Sequence, residues 1–295
     1  MLQLTDDELL NELRSRFDEN KKALSELNRL NRILTKVNDK LSEAEAMKSH
    51  FISNISNEII NPFTSIIGLS QTILESYSSI PEEVIKMVSL IHGEAFNLDF
   101  QFRNIFAAAK IEAGEISMEV SKADISAIIN DIIESYRFEA RHKLLVFNKT
   151  FEKQSRKSVD FKTDVEKISI IIDNLINNAV KFSNKGGFID IGYSINNGVL
   201  VVTIADHGKG IDTEHYEEIF DRFKKLDLNI SSINRGHGLG LSIVKAYTEF
   251  MNGSVNVEST SGKGTQFILT IPESDGEVNG FCSNGYEVFI DKDIN

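Results

Sequence analysis

Three prolines punctuate this chain, and their positions restrict what it can fold into. Proline has no amide hydrogen and its ring collides with the preceding turn, so a helix stops or kinks where one occurs. Pro62 is the sole proline between Thr5 and Leu74, which predicts nearly continuous helix over that stretch. Thr5 with Glu8 three residues on reads as a capping box at its start. Pro81 follows the turn composition Tyr77-Ser78-Ser79-Ile80, and Pro272 closes the last apolar strand pattern.

Within the first helical stretch, Leu10, Leu13, Phe17, Leu24 and Leu27 alternate spacings of three and four, with Asn20 as one polar step. Leu27, Leu30, Leu34, Val37, Leu41 and Ala44 continue the seam after a three-residue slip. The pattern predicts a coiled coil over residues 1–46 with a stammer that overwinds it locally. An amphipathic helix packed on its own domain is the alternative reading of the same residues. A second stripe, Val84, Met87, Val88, Ile91, Ala95, Leu98, Phe102, Ile105, Phe106 and Ala109, predicts a helix from Glu82 to about Ala113, ended by Gly114. Folded back antiparallel on residues 51–74, it makes a hairpin over residues 47–115. A hairpin keeps an apolar stripe exposed, so two copies are expected to pair as a four-helix bundle, a homodimer.

From Ile116 the texture changes. Residues 116–120 alternate like a strand, residues 125–138 and 165–182 are helical in pattern, and residues 188–193, 199–205, 254–259 and 265–271 are strand-like. The expectation is an α+β domain over residues 116–272, one mixed or antiparallel sheet with helices on one face. Residues 273–295 are rich in Gly, Asn and Asp and are expected to be a mobile tail.

Charge and cysteine content narrow the setting. Lys plus Arg number 32 and Asp plus Glu 44, a net charge of −12. Such a chain repels phosphate backbones, which argues against a nucleic-acid partner. The one cysteine, Cys282, has no partner for an internal disulfide and fits a reducing, cytoplasmic setting. No apolar run approaches the roughly 20 residues that span a bilayer. A signal arriving through a membrane would need another chain or a further segment.

Four short elements then follow in order. Asp173-Asn174-Leu175-Ile176-Asn177-Asn178-Ala179-Val180-Lys181 lies on a helix and places Asn174, Asn178 and Lys181 at i, i+4 and i+7, on one face. A neutral carboxamide oxygen suits Mg²⁺, a hard cation that keeps waters and shares phosphate oxygens. Lys181 supplies a point charge for phosphate. Asp206-His207-Gly208-Lys209-Gly210 follows a strand, with a carboxylate able to accept from the exocyclic amine of adenine and glycines that permit a tight turn and close backbone approach to the base. Gly236-His237-Gly238-Leu239-Gly240 opens a helix, where backbone amides attract phosphate. Gly262-Lys263-Gly264-Thr265 turns into the last strand. There is no P-loop Gly-Lys-Ser/Thr step and no Rossmann fingerprint.

Together these boxes closely resemble the Bergerat-type (GHKL) ATP-binding sandwich shared by sensor histidine kinases, type II topoisomerases, Hsp90 and MutL. The preceding hairpin is similar to that of two-component sensor histidine kinases. Phe220-Asp221-Arg222-Phe223 looks like that family's aromatic box, ahead of a lid over residues 224–237. The likeness runs from about Met47 to Pro272. It implies ATP and Mg²⁺ as cofactors, with Asn174, Asn178 and Lys181 handling Mg²⁺ and phosphates and Asn178 as the metal ligand. It implies Asp206 as the adenine-binding carboxylate, and Gly208, Gly210, Gly236, Gly238, Gly240 and Thr265 as shapers of base pocket and lid. It also implies a response regulator receiver domain as partner.

Residues 51–62 look like the family's phosphoacceptor helix, yet Asn57 stands where the acceptor histidine belongs. A carboxamide nitrogen is delocalised into its carbonyl and is no nucleophile, so autophosphorylation at Asn57 is not expected. Glu58 keeps the place of the orienting acid, while Ile60 replaces a usual basic residue. Two departures point to natural divergence; an engineered acceptor knockout is the other reading. Asn61, three residues after Glu58, preserves a pattern able to hold water in line with an aspartyl phosphate, or it merely precedes Pro62 in a loosened turn. His50 has no following acid and is a poor substitute acceptor. The expectation is a degenerate kinase that binds ATP and regulates a phosphorelay. The rivals are an enzyme that phosphorylates a partner's histidine in a heterodimer or dephosphorylates a response regulator, and a non-catalytic dimeric scaffold.

Overall fold

The computed structural model describes residues 16–17, 20–22, 24, 26–36, 38, 62–75, 81–151, 160–222, 224, 238–276, 281–283 and 286–288. The chain divides into two units, Met1–Asn54 and Ile55–Asn295. In the first, the described residues are helical, and Phe17, Leu24, Leu27, Leu30, Ile33 and Leu34 are exposed along it. The Thr5–Glu8 capping box and the seam residues Leu10, Leu13, Val37, Leu41 and Ala44 lie outside the described residues.

The second unit begins with a helical hairpin. Helix α1 (residues 62–75) runs antiparallel to α2 (Glu82–Ala113). Phe63 stacks on Phe102 at 5.8 Å, while Ser70 Oγ lies 3.1 Å from His92 Nδ1. One number rises as the other falls, which fixes the direction. Pro81 precedes α2, and Glu82 and Glu83 in its first turn suit the positive end of the helix dipole. Gly114 ends α2 at φ 70°, a left-handed conformation in which the freed amides of Gly114 and Glu115 reach back to Ile111 and Lys110 carbonyls. Leu69, Met87, Leu90 and Ile91 remain exposed.

Two sheets follow. The larger has the order β2-β4-β5-β7-β6, built from β2 (Val146–Phe151), β4 (Phe188–Asn196), β5 (Val199–Asp206), β6 (Ser254–Thr260) and β7 (Gly264–Pro272). The β2–β4 pair is parallel and the others are antiparallel. Helices α3 (Ile125–Ser135), α5 (Val165–Phe182) and α6 (Gly240–Phe250) share one core with its inner face. Ile129, Ile168, Ile171, Ile172, Ile176, Ile189, Leu200, Val202, Leu269 and Ile271 are fully buried there. Burial alternates strictly along β5, so Leu200, Val202, Ile204 and finally Asp206 point inward. The period that builds the core thus also delivers a carboxylate to its edge.

Helix α5 starts on a side-chain cap: Asp164 Oδ1 accepts from Lys167 N at 3.0 Å, and Asp164 Oδ2 takes Lys167 Nζ at 2.6 Å. Among the described residues no helix is long and apolar enough to cross a membrane.

Several expectations need correction. Residues 116–120 are not a strand; β1 is Ser121–Asp124. Residues 115–120 do alternate in burial, but Glu119 N donates to the Asp164 carboxylate and not to a neighbouring strand, so the pattern records one-sided burial without a ladder. The helix expected over residues 125–138 divides at Tyr136 into α3 and α4 (Arg137–Lys143), because Tyr136 turns fully inward. A second sheet, β3-β1-β8-β9, was not expected. In it β3 (Asp160–Thr163) pairs with β1, and β8 (Phe281–Ser283) adds to the other edge of β1 in parallel and pairs with β9 (Tyr286–Val288). The tail expected to be mobile therefore supplies two short strands, since an open β1 edge offers backbone partners.

Candidate nucleotide site

The site is built where the C-terminus of α5 meets the end of β5. Lys143 Nζ donates to the carbonyls of Val180 and Lys181, both at 2.8 Å, and so holds the negative end of α5. Burial lowers the pKa of that ammonium. Lys181 Nζ stands 5.2 Å from the centre of the Phe182 ring and Lys209 Nζ 4.8 Å, so two cations contact one aromatic ring.

Asp206 is 7% exposed. Its Oδ1 accepts from Gly208 N at 2.9 Å. Burial raises the carboxyl pKa above the usual range, opposed by hydrogen bonds from the backbone of Gly208 and Thr265. Thr265 faces Asp206 across the β5–β7 register and is also buried. Its Oγ1 lies 3.0 Å from Ser259 Oγ. Ser259 Oγ in turn donates to Gly264 O at 2.7 Å and accepts from Ile211 N at 2.8 Å. Tyr216 OH bonds both the amide and the carbonyl of Ser259, pinning the loop after Gly210 to β6. On the outer side, His207 Nε2 pairs with Asp190 Oδ2 at 2.7 Å, and Asn148 Nδ2 donates to Asp190 Oδ1. Hydrogen bonding from His207 leads the lowering of the Asp190 pKa.

Close approach explains two of the glycines. A Cβ on Gly208 would stand 2.0 Å from Phe182 O, which locks the turn against the end of α5. Gly210 has φ 69° and a Cβ there would meet Thr260 O at 2.1 Å. Gly238 is also left-handed, and Gly240 is the first residue of α6. Gly236 lies outside the described residues, as do Asn57, Glu58 and Asn61 and the alternative acceptor His50.

The carboxamides of α5 divide. Asn178 is half-buried, and among the described residues its side chain makes no hydrogen bond. Asn174, expected beside it at the phosphates, is only 2% exposed and is turned to Asn104 of α2, with a reciprocal pair at 3.0 and 2.8 Å. The i, i+4 spacing puts both on one side of α5, and the docking of α2 claims the first of them. Among the described residues no group of three or more His, Cys, Asp or Glu could hold a metal.

Sequence reasoning did not single out Asn104, Tyr136, Asp173 or Tyr216. Each acts through a contact distant in sequence, and only Asp173 stands within one of the four boxes, where no role attached to it.

Residues 163–275 match the family described as histidine kinase-, DNA gyrase B-, and HSP90-like ATPase. The sensor protein SrrB of Staphylococcus aureus (strain NCTC 8325 / PS 47) is 30% identical over 229 residues, which cover 78% of this chain and 39% of that protein. The chain thus spans well under half the length of this relative. Among solved structures, full-length ShkA in complex with AMPPNP superposes with a TM-score of 0.55 at 22% identity, covering 76% of this chain and 46% of that one, and shares the fold. The chain is related to the two-component sensor histidine kinases, and its residues 163–275 are a domain of the histidine kinase-, DNA gyrase B- and HSP90-like ATPase family.

Proposed function

We propose that this chain binds ATP with Mg²⁺ and works in two-component signalling as a degenerate kinase, one that does not accept a phosphoryl group at Asn57. The observation that carries the reading is the buried Asp206 carboxylate, held by Gly208 N and flanked by Thr265, at the foot of the helix that bears Asn178 and Lys181. A buried carboxylate acceptor selects an amine donor, as adenine offers. Asn178 would share a Mg²⁺ with the phosphates, and Lys181 would meet them with charge.

The exposed apolar residues of the hairpin, Leu69, Met87, Leu90 and Ile91, support pairing of two copies in a four-helix bundle. The exposed leucines of residues 24–34 support a coiled coil that feeds that bundle. A response regulator receiver domain is the partner that Glu58 and Asn61 suit, in a cytoplasmic setting. ATP would bias the arrangement of the domain and not donate to this chain.

The reading is tested with ATP labelled in its γ-phosphoryl group. The chain alone takes up no label, whereas Asn57→His takes up label that is stable to alkali and labile to acid. Label retained at Asn57 itself contradicts the reading. A second reading, hydrolysis of a receiver's aspartyl phosphate, rests on the Glu58–Asn61 spacing. It requires that labelled receiver lose phosphate faster with this chain than with Asn61→Ala.

A further inference from the structure

Asn104 and Asn174 come from different parts of the second unit, the hairpin helix α2 and the box helix α5. Each donates Nδ2 to the other's Oδ1, at 3.0 and 2.8 Å. Both are buried, 6% and 2% exposed. Asn174 Nδ2 also donates to Ile170 O at 2.8 Å, so both of its hydrogens are engaged within the protein. Its Oδ1 lies under the first residue of α6: a Cβ on Gly240 would stand 2.5 Å from it. Asn174 is thus one turn from Asn178, beneath the glycine that ends the Gly236–Gly240 box.

The surrounding contacts make this a defined docking surface. Phe96 of α2 meets Tyr136 edge-on at 5.1 Å. Asp99 holds Arg103 at 2.7 Å, and Ala107 is buried in the shared core. The face of α2 that bears Phe96, Asp99, Arg103, Asn104 and Ala107 has helical spacing, so it approaches the site as one rigid surface. A buried carboxamide is expensive to leave unpaired, so Asn174 exchanges one set of partners for another and does not simply let go.

We propose that Asn104 is a positioning residue of the nucleotide site: it keeps Asn174 turned toward the hairpin, and the hairpin and the phosphate end of Mg·ATP compete for that one carboxamide. The proposal rests on the reading of the site given above and adds how the hairpin is coupled to it. Coupling of this kind is reciprocal. Bound triphosphate loosens α2 from α5, and a movement of the hairpin that withdraws Asn104 strengthens triphosphate binding. Adenosine is blind to the exchange. Asn174 lies two turns along α5 from Phe182, whose carbonyl abuts the Asp206–Gly208 turn.

The test is calorimetric titration of the full chain and of Asn104→Ala with two probes, adenosine and a magnesium complex of a non-hydrolysable ATP analogue. Asn104→Ser is titrated as well, because it stays polar but cannot span the reciprocal pair. Both variants are expected to bind the analogue about tenfold tighter, the worth of about one buried hydrogen-bonded pair. Adenosine affinity is expected to stay the same, and adding Asn174→Ala to Asn104→Ala cancels the gain. If the unaltered chain binds the analogue and neither folded variant binds it more tightly, the proposal is overturned. An equal gain for adenosine and analogue also overturns it, since that reports general loosening. If the unaltered chain binds neither probe, the reading of the site fails first and the proposal with it.

Discussion

The Tyr136 hydroxyl donates a 2.6 Å hydrogen bond to Asp173 Oδ1, and Asn177 Nδ2 donates to the same hydroxyl at 3.2 Å. Burial pushes the Asp173 carboxyl up from 3.8 to about 6, against the pull of Tyr136 and the Arg103 charge. A carboxyl raised in the fold stabilises it fully below its unfolded pKa and loses that contribution as pH climbs through the folded value. Asp173→Asn removes the titration but keeps an acceptor for Tyr136. Its stability relative to the unaltered chain is expected to rise between about pH 4 and pH 7, by at most about 3 kcal/mol. Urea unfolding at a series of pH values checks this; a difference that stays flat across the range contradicts it.

Gly208 is held against Phe182 O at a distance that admits no Cβ. Gly208→Ala is expected to shift the turn away from α5 and cost about 1–3 kcal/mol, as overpacking does. Thermal unfolding reads the loss. Gly262 has open space around its Cβ position but a φ of 79°, so Gly262→Ala is expected to cost about 1 kcal/mol from backbone strain alone. Equal tolerance of both substitutions would contradict the close-packed turn.

Leu69 and Leu90 are each 68% exposed on the hairpin. Leu69→Glu combined with Leu90→Glu is expected to convert a dimer to a monomer in sedimentation velocity, with the fold of the second unit retained by circular dichroism. A dimer that survives both charges places the pairing surface elsewhere.

Much of this was legible because each box carries its own chemistry. The alternation Leu200, Val202, Ile204, Asp206 announces both a core strand and a carboxylate at its edge. Gly208 and Gly210 announce a tight turn with room for a base, and the close contacts they make lie with protein backbone, at Phe182 O and Thr260 O. The α2 stripe and Gly114 announce a helix and its end. What was hidden depends on partners distant in sequence. Asn174 reads as a ligand-facing residue until Asn104, 70 positions earlier, is seen to occupy it. The strand expected at residues 116–120 had the right alternation but no neighbour to pair with. The second sheet forms because β3 pairs with β1 and residues 281–283 add to the other edge of β1, and nothing local in Phe281-Cys282-Ser283 indicates that destination.

On the reading proposed above, the buried Asp206 carboxylate accepts from the adenine of a magnesium-bound ATP. Titrating a non-hydrolysable Mg·ATP analogue into the unaltered chain and into Asp206→Ala, with unfolding curves confirming that both are folded, tests it most directly. Saturable one-to-one binding by the unaltered chain is expected, with a loss of at least about tenfold in the variant, the worth of a charge-assisted hydrogen bond. Equal binding by the two proteins, or no binding by either, would contradict it.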